Sequence, residues 1–196
     1  GYLASDESDF FDRVDQLMDV ARQSLETKRK ILEQLTDKQL YPYTQFYLRD
    51  VKRRSGQYWH NHFSTIGLIG MNEACMNLLG CDVGSAEGRS FAARVLDHMR
   101  TRLRDFQRET GHLYNLEATP AEGTAYRLAK KDRERWADIH ASGAANALGD
   151  DVPFYSNSTQ LPVDYTDDVF ELLDLQDDLQ SRYTGGTVQH IYLAAS

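Results

Sequence analysis

The run Phe63-Ser-Thr-Ile-Gly-Leu-Ile-Gly70 limits the folds open to this chain more than any other feature. Short, apolar, β-branched and bracketed by glycine, it reads as a buried strand rather than a helix. Such a strand needs cover, and its flanks can supply it. Upstream, Phe10, Val14, Leu17, Ala21, Leu25, Leu32 and Leu35 recur every three or four positions, which marks one face of a long amphipathic helix. Asp6, Glu7 and Asp9 stand where the positive end of its dipole favours carboxylates. Tyr41-Pro42-Tyr43 is expected to close that helix, with a turn or linker through Ser55-Gly56. Downstream, a short helix from Asn72 to Leu79 stops at Gly80, and Phe91, Val95, Met99, Leu103 and Phe106 define a second long helix ending at Gly111.

The rest of the chain repeats the alternation. Leu113 to Thr119 is a plausible second strand, and a charged helical stretch runs from about Glu122 to Ile139. Ser142-Gly143 through Asp151 reads as a surface loop, and Phe154-Tyr155-Ser156 as a short third strand. Val169, Phe170, Leu173 and Leu179 give a helix ended by Gly185-Gly186, before a β-rich stretch from Thr187 to Leu193. Strand and helix alternating four times predicts an α/β fold with parallel strands joined by crossover helices. Only Ala194-Ala195-Ser196 follows the last strand, so no helix covers it and a larger parent is expected. No domain boundary or repeat interrupts residues 1–196.

Charge and composition narrow the partners. A net charge of -8 argues against a nucleic-acid backbone, which needs a surplus of Lys and Arg on one face. The cluster Lys52-Arg53-Arg54 is too short to reverse that and reads as a solvated turn. No apolar run approaches the roughly 20 residues of a membrane span, and no leader precedes the first helix, so no membrane partner is expected and the cytoplasm is the default location. Cys75 and Cys81 fit a reducing compartment and match no metal motif.

In parallel α/β architectures, ligands meet the segments that follow the strands. Three of these are polar: Met71-Asn72-Glu73, Glu117 to Gly123, and Ser156 to Pro162. Glu73 directly follows an apolar strand and is the first candidate for handling a proton; it could equally be a first-turn carboxylate that favours the helix dipole. Glu117 and Glu122 invite the same pair of readings, with capping open to Glu122. Asn157, Ser158, Thr159 and Gln160 offer neutral donors and acceptors suited to sugar hydroxyls or phosphate oxygens, or to a loop that supports only itself. Gly185-Gly186 suggests a phosphate cradle, but a helix C-cap at the far end of the sheet explains it as well. His60, His62 and the two cysteines have no partners at ligand spacing, and Cys75 lies on the apolar side of a short helix beside Leu78 and Leu79.

Four strings carry a family resemblance: His62 to Glu73 (HFSTIGLIGMNE), Leu113 to Gly123 (LYNLEATPAEG), Asn157 to Val163 (NSTQLPV), and Tyr183 to Thr187 (YTGGT). In this order they resemble the central part of the large subunits of anaerobic (class III) ribonucleoside-triphosphate reductases, a glycyl-radical enzyme family. The resemblance implies a ten-stranded α/β barrel of two parallel five-stranded halves, with residues 1–196 forming much of the second half of one catalytic domain. It implies that the chain begins after the finger loop with the thiyl-radical cysteine and stops before the zinc-binding cysteines and the radical glycine, so that alone it is inactive. Neither Cys75 nor Cys81 lies where the family keeps its radical or reducing cysteines.

The implied activity is conversion of ribonucleoside triphosphates to deoxyribonucleoside triphosphates for DNA precursor synthesis, with formate as reductant. Glu73 would be a barrel-end carboxylate near the ribose, and Asn72, Tyr155, Asn157, Ser158, Thr159 and Gln160 would line the substrate or formate pocket. The glycyl radical, made with S-adenosylmethionine by an iron-sulfur activase, the structural zinc, the ATP and dNTP effector sites and the homodimer contacts are implied for the whole protein, outside this chain. Two alternatives stand beside this: another glycyl-radical enzyme of the formate-lyase type, which needs adjacent cysteines on its finger loop, and a non-catalytic helical module that binds a partner through the Phe10 to Leu35 stripe.

Overall fold

The structure, a computed structural model, describes residues 1–118, 120–145, 151–189 and 191. The chain opens with α1 (Glu7–Asp37), capped by Asp6, whose side chain accepts the Asp9 N–H, and carrying Glu7 and Asp9 in its first turn. Against it lies α4 (Ala86–Thr110), started by the Ser85 hydroxyl accepting the Gly88 N–H and ended by Gly111 at φ 72°. Phe91, Val95, Met99, Leu103 and Phe106 are all buried, as their spacing predicts. Phe10 of α1 meets Phe91 edge-on with ring centroids 5.1 Å apart. Along the rim of this helix pair, polar side chains interlock: Arg94 with Glu7 at 2.8 Å, His98 with Asp15 at 2.7 Å, Arg102 with Asp19 at 3.0 Å, and Arg22 with Glu109 at 2.8 Å.

β1 (Phe63–Gly67) and β2 (Leu113–Glu117) form a parallel pair in register from Phe63↔Leu113 to Gly67↔Glu117. Ser64, Ile66, Tyr114 and Leu116 are buried, the last three within the same core as α4. The opposite face of β1 is open in this chain, with Phe63 55% exposed, so the strand is covered on one side rather than both. Leu17 of the α1 stripe, 70% exposed, is likewise not a core residue here. Arg29, itself buried, ties α1 to the approach to β1 by donating to the Trp59 and His62 carbonyls and the Ser64 hydroxyl. α3 (Met71–Leu79) follows β1, and α5 (Glu122–Arg135) follows β2.

Several expectations are corrected. Pro42 does not open a linker; it occupies the first turn of a separate helix, α2 (Pro42–Ser55), where its missing N–H costs nothing. That helix buries none of its residues, so it leaves no apolar stripe to read. α5 ends at Arg135 rather than near Ile139. The two ends of the expected loop are strands, β3 (Ser142–Ala145) and β4 (Asp151–Phe154), paired antiparallel; of the expected third strand only Phe154 is in β4, and residues 146–150 of the loop lie outside the described residues. α6 (Val169–Gln180) stops at Ser181, four residues before the glycine pair. Thr187 to Gln189 and Ile191 form no strand. Thr119, His190 and residues 192–196, on which parts of the second and fourth expected strands fall, lie outside the described residues. The fold is α/β as expected, but its described sheets are one parallel and one antiparallel pair.

Candidate functional site

The site is built at the carboxyl end of β1 and β2. After β1, the chain turns through Gly70, whose φ of 76° only glycine adopts without strain; a Cβ there would also approach the Tyr155 Cβ to 3.2 Å. The Gly70 N–H donates to the Ser156 carbonyl at 2.7 Å, the Met71 N–H donates to the Ser158 carbonyl at 3.1 Å, and Ile69 bridges to Asn157. The turn 156–160 is thereby fastened to the start of α3, which presents Glu73 to it from the first helical turn.

Glu73 is 1% exposed, and both its oxygens are occupied. Oε1 accepts the Ser142 hydroxyl at 2.6 Å, and Oε2 accepts the Ser156 backbone N–H and hydroxyl, each at 2.9 Å. One buried carboxylate thus joins α3, β3 and the turn, and three donors offset the cost of burying it. Asn72 is also buried, but its Oδ1 accepts the Val83 N–H, so it serves the connection into α4 and does not join the Ser156 cluster.

Tyr155 donates its hydroxyl to Asp132 of α5 at 2.7 Å; burial and that carboxylate push its pKa above the ordinary tyrosine value. Tyr155, Asp132 and Glu73 reach the wall of an apolar groove of about 830 Å³ that runs between α1, α3 and the end of β1. Asn157 is half-buried, and its carbonyl accepts the Gln160 N–H to close a tight turn. Ser158 sits in that turn with φ 47° and is 1% exposed, and Thr159 is fully buried. Thr159 Oγ1 shares a 3.0 Å hydrogen bond with the Tyr183 hydroxyl, and Gln160 Nε2 donates to the Val188 carbonyl at 2.6 Å.

The glycine pair belongs to this same end of the sheet, which overturns its expected place at the far end. Thr184 and Gly185 both donate their N–H to the Leu116 carbonyl, Thr184 Oγ1 accepts the Leu116 N–H, and the Ala118 N–H donates to the Gly186 carbonyl. Glu117 and Gly186 form a parallel bridge. Neither glycine has a positive φ, so neither caps a helix; Gly185 is needed for close approach, since a Cβ would lie 2.6 Å from Asn115 Nδ2.

Of the residues singled out from sequence, Glu73, Tyr155 and Asn157 to Gln160 come together. Glu117 lies at the end of β2, where it bridges to Gly186, while Glu122 is exposed in the first turn of α5. Cys75 is fully buried against the Gly88 carbonyl, and burial pushes its thiol up to about 12. Among the described residues, no group of three or more His, Cys, Asp or Glu could hold a metal ion. Sequence reasoning missed Asp132, set within an unbroken run of charged residues from Lys130 to Arg135, and Ser142, taken for part of a loop. Tyr183 and Thr184 were legible only as part of a string, since nothing in their spacing says which strand they join.

The chain is similar to known proteins. The family model described as anaerobic ribonucleoside-triphosphate reductase matches residues 1–196. The anaerobic ribonucleoside-triphosphate reductase of Enterobacteria phage T4 is 26% identical over 129 residues, which is 66% of this chain and 19% of that protein. The anaerobic ribonucleotide reductase of Thermotoga maritima in complex with dATP and CTP superimposes with a TM-score of 0.72 at 23% identity, covering 98% of this chain and 30% of that one. The same Thermotoga maritima protein with glycerol in the active site gives 0.72 at 24% identity, covering 97% and 29%. These solved structures share the fold, and the chain spans under a third of their length. Neither the formate-lyase reading nor the helical-module reading gains support from these likenesses. Among the described residues, no helix is long and apolar enough to cross a membrane.

Proposed function

The chain belongs to the anaerobic ribonucleoside-triphosphate reductase family, and on that premise we propose that it is part of the catalytic barrel of an enzyme that converts ribonucleoside triphosphates to deoxyribonucleoside triphosphates. The observation that carries this reading is convergence. Segments 70–73 and 156–160 hydrogen-bond to each other, 117–118 and 184–186 do the same, and the Thr159–Tyr183 and Gln160–Val188 bonds link the two pairs at one end of a parallel pair of strands, where α/β proteins bind ligands. A ribonucleotide presents hydroxyls and phosphate oxygens, and the half-buried amide side chains of Asn157 and Gln160 stand at this end of the sheet to meet them, with Ser158 and Thr159 buried behind as the support of the turn.

In the proposed reaction the ribose 2′-hydroxyl leaves as water, formate supplies two electrons and one proton and becomes carbon dioxide, and the second proton comes from solvent. The family's glycyl radical would, through a cysteine outside this chain, supply the abstraction of hydrogen from the ribose 3′-carbon. The residues of this chain bind and orient. Glu73 fixes the 156–160 turn, and any proton it handles passes through the Ser142 or Ser156 hydroxyls that occupy its oxygens. Tyr155, held by Asp132, closes the pocket on the side of the apolar groove and helps to exclude water. Asn72 supports the pocket from behind through its bond to Val83. The activase that uses S-adenosylmethionine, the structural zinc, the ATP or dNTP effectors and the homodimer contacts are proposed for the remainder of the protein, and the cytoplasm for its location.

The test is anaerobic turnover of CTP by the intact activated enzyme with radiolabelled formate. Equal yields of dCTP and labelled carbon dioxide support the reading in full. Formation of dCTP without formate oxidation removes formate from it, and absence of dCTP overturns the reading itself.

A further inference from the structure

Tyr183 has no part in the chemistry described above, yet its position is defined from both sides. Its backbone is fixed by its neighbour: Thr184 both donates to and accepts from Leu116 of β2, and Gly185 lets the chain press against Asn115 and the Leu116 carbonyl. Its hydroxyl reaches the fully buried Thr159 at 3.0 Å, with the Ser158 side chain beside it. The turn it touches needs such a hold. Ser158 is a non-glycine residue at φ 47°, a conformation that persists only where the surroundings enforce it. On one side the enforcement comes from Gly70 and Met71; on the other it comes from Tyr183 and from Gln160 bonded to Val188.

We propose that Tyr183 is a positioning residue for nucleotide binding, its hydroxyl holding Thr159 so that the Asn157 to Gln160 turn is set for substrate before substrate arrives. The proposal rests on the reading that this turn contacts the ribonucleotide. Tyr183 does not touch the reacting atoms; it removes the cost of ordering the turn on binding. Its loss therefore weakens ground state and transition state alike, and the effect falls on KM rather than on kcat.

The experiment is steady-state CTP reduction by the intact activated enzyme, with CTP affinity measured separately by equilibrium dialysis. Tyr183→Phe removes only the hydroxyl, and Thr159→Val removes its partner. Each should raise KM and the dialysis Kd roughly threefold to tenfold, the span of one neutral hydrogen bond, while kcat stays within about twofold. The double variant should be no worse than the poorer single one, because both delete the same bond. Asn157→Ala serves as the control on the underlying reading. If Asn157→Ala raises KM and Tyr183→Phe does not, the positioning role is wrong and the binding turn stands. If Asn157→Ala leaves KM unchanged, the turn does not bind substrate and both ideas fall. A fall in kcat and melting temperature with KM unchanged would make Tyr183 a merely structural contact and would also overturn the proposal.

Discussion

Glu73 and Ser156, 83 residues apart, are joined twice: one carboxylate oxygen of Glu73 accepts both the backbone N–H and the hydroxyl of Ser156. Ser142 occupies the other oxygen. An amide in that place has only one acceptor oxygen, so its NH2 faces either the Ser142 hydroxyl, which must rotate to accept, or the Ser156 N–H, which cannot accept. Glu73→Gln should therefore destabilise the protein by about 1–3 kcal/mol. A urea titration checks this, with the midpoint falling and the slope unchanged. A midpoint within error of the parent would mean that Glu73 does not hold the turn.

Gly185 packs where no side chain fits: a Cβ at this position would lie 2.6 Å from Asn115 Nδ2 and 3.1 Å from the Leu116 carbonyl oxygen. Gly185→Ala should cost roughly 1–3 kcal/mol through overpacking. Asn115→Ala should return part of that loss in the double variant, since it clears the side chain but not the carbonyl. Thermal melting of the four proteins of this cycle measures the coupling; strict additivity would refute the contact.

Arg29 is buried and makes three hydrogen bonds to the segment that leads into β1. Arg29→Met keeps much of its volume but leaves two carbonyls and a hydroxyl without this donor, and should cost about 2–4 kcal/mol. Chemical denaturation reads the loss. The exposed Arg53→Met, which breaks only a surface pair with Asp50, should change stability by no more than about 0.5 kcal/mol.

Burial pushes the Cys75 thiol from an ordinary 9.0 up to about 12, with Cys81, Asp82 and Glu73 adding to the shift. The sign follows directly: the folded state keeps the proton that the unfolded chain gives up. Stability from this group is therefore full below about pH 9 and is lost as pH rises toward about 12. Cys75→Ala should flatten that part of the stability profile. At about pH 8.5, near the ordinary thiol pKa, the native Cys75 should resist iodoacetamide and react only after unfolding, as peptide mass mapping would report.

Much of the architecture is legible because burial writes a period into the sequence. The stripe of α4 from Phe91 to Phe106 and its end at Gly111 follow from spacing and glycine alone. The helix α2 escapes because no residue of it is buried, and Pro42 at its start looks the same as a proline that ends its predecessor. The β3–β4 hairpin escapes because Ser142-Gly-Ala-Ala145 contains no β-former; its pairing with β4 is a tertiary choice. At the site, the polar strings after β1 and β2 are readable by position. That Gly185 and Gly186 return to β2 is not, because register between distant segments depends on contacts that no local pattern records.

That distance in sequence has a consequence for the order in which the molecule opens. α4, β1 and β2 are neighbours in the chain and share the buried core, whereas the turn 156–160 and the segment 184–186 must close long loops to reach them. In native-state hydrogen exchange, the amides of Gly70, Met71, Gly185 and Ala118 should trade protons through a smaller opening than those in the middle of α4. A nucleotide bound at this edge would slow exchange in four separate stretches of sequence together, because opening any one of them releases the others.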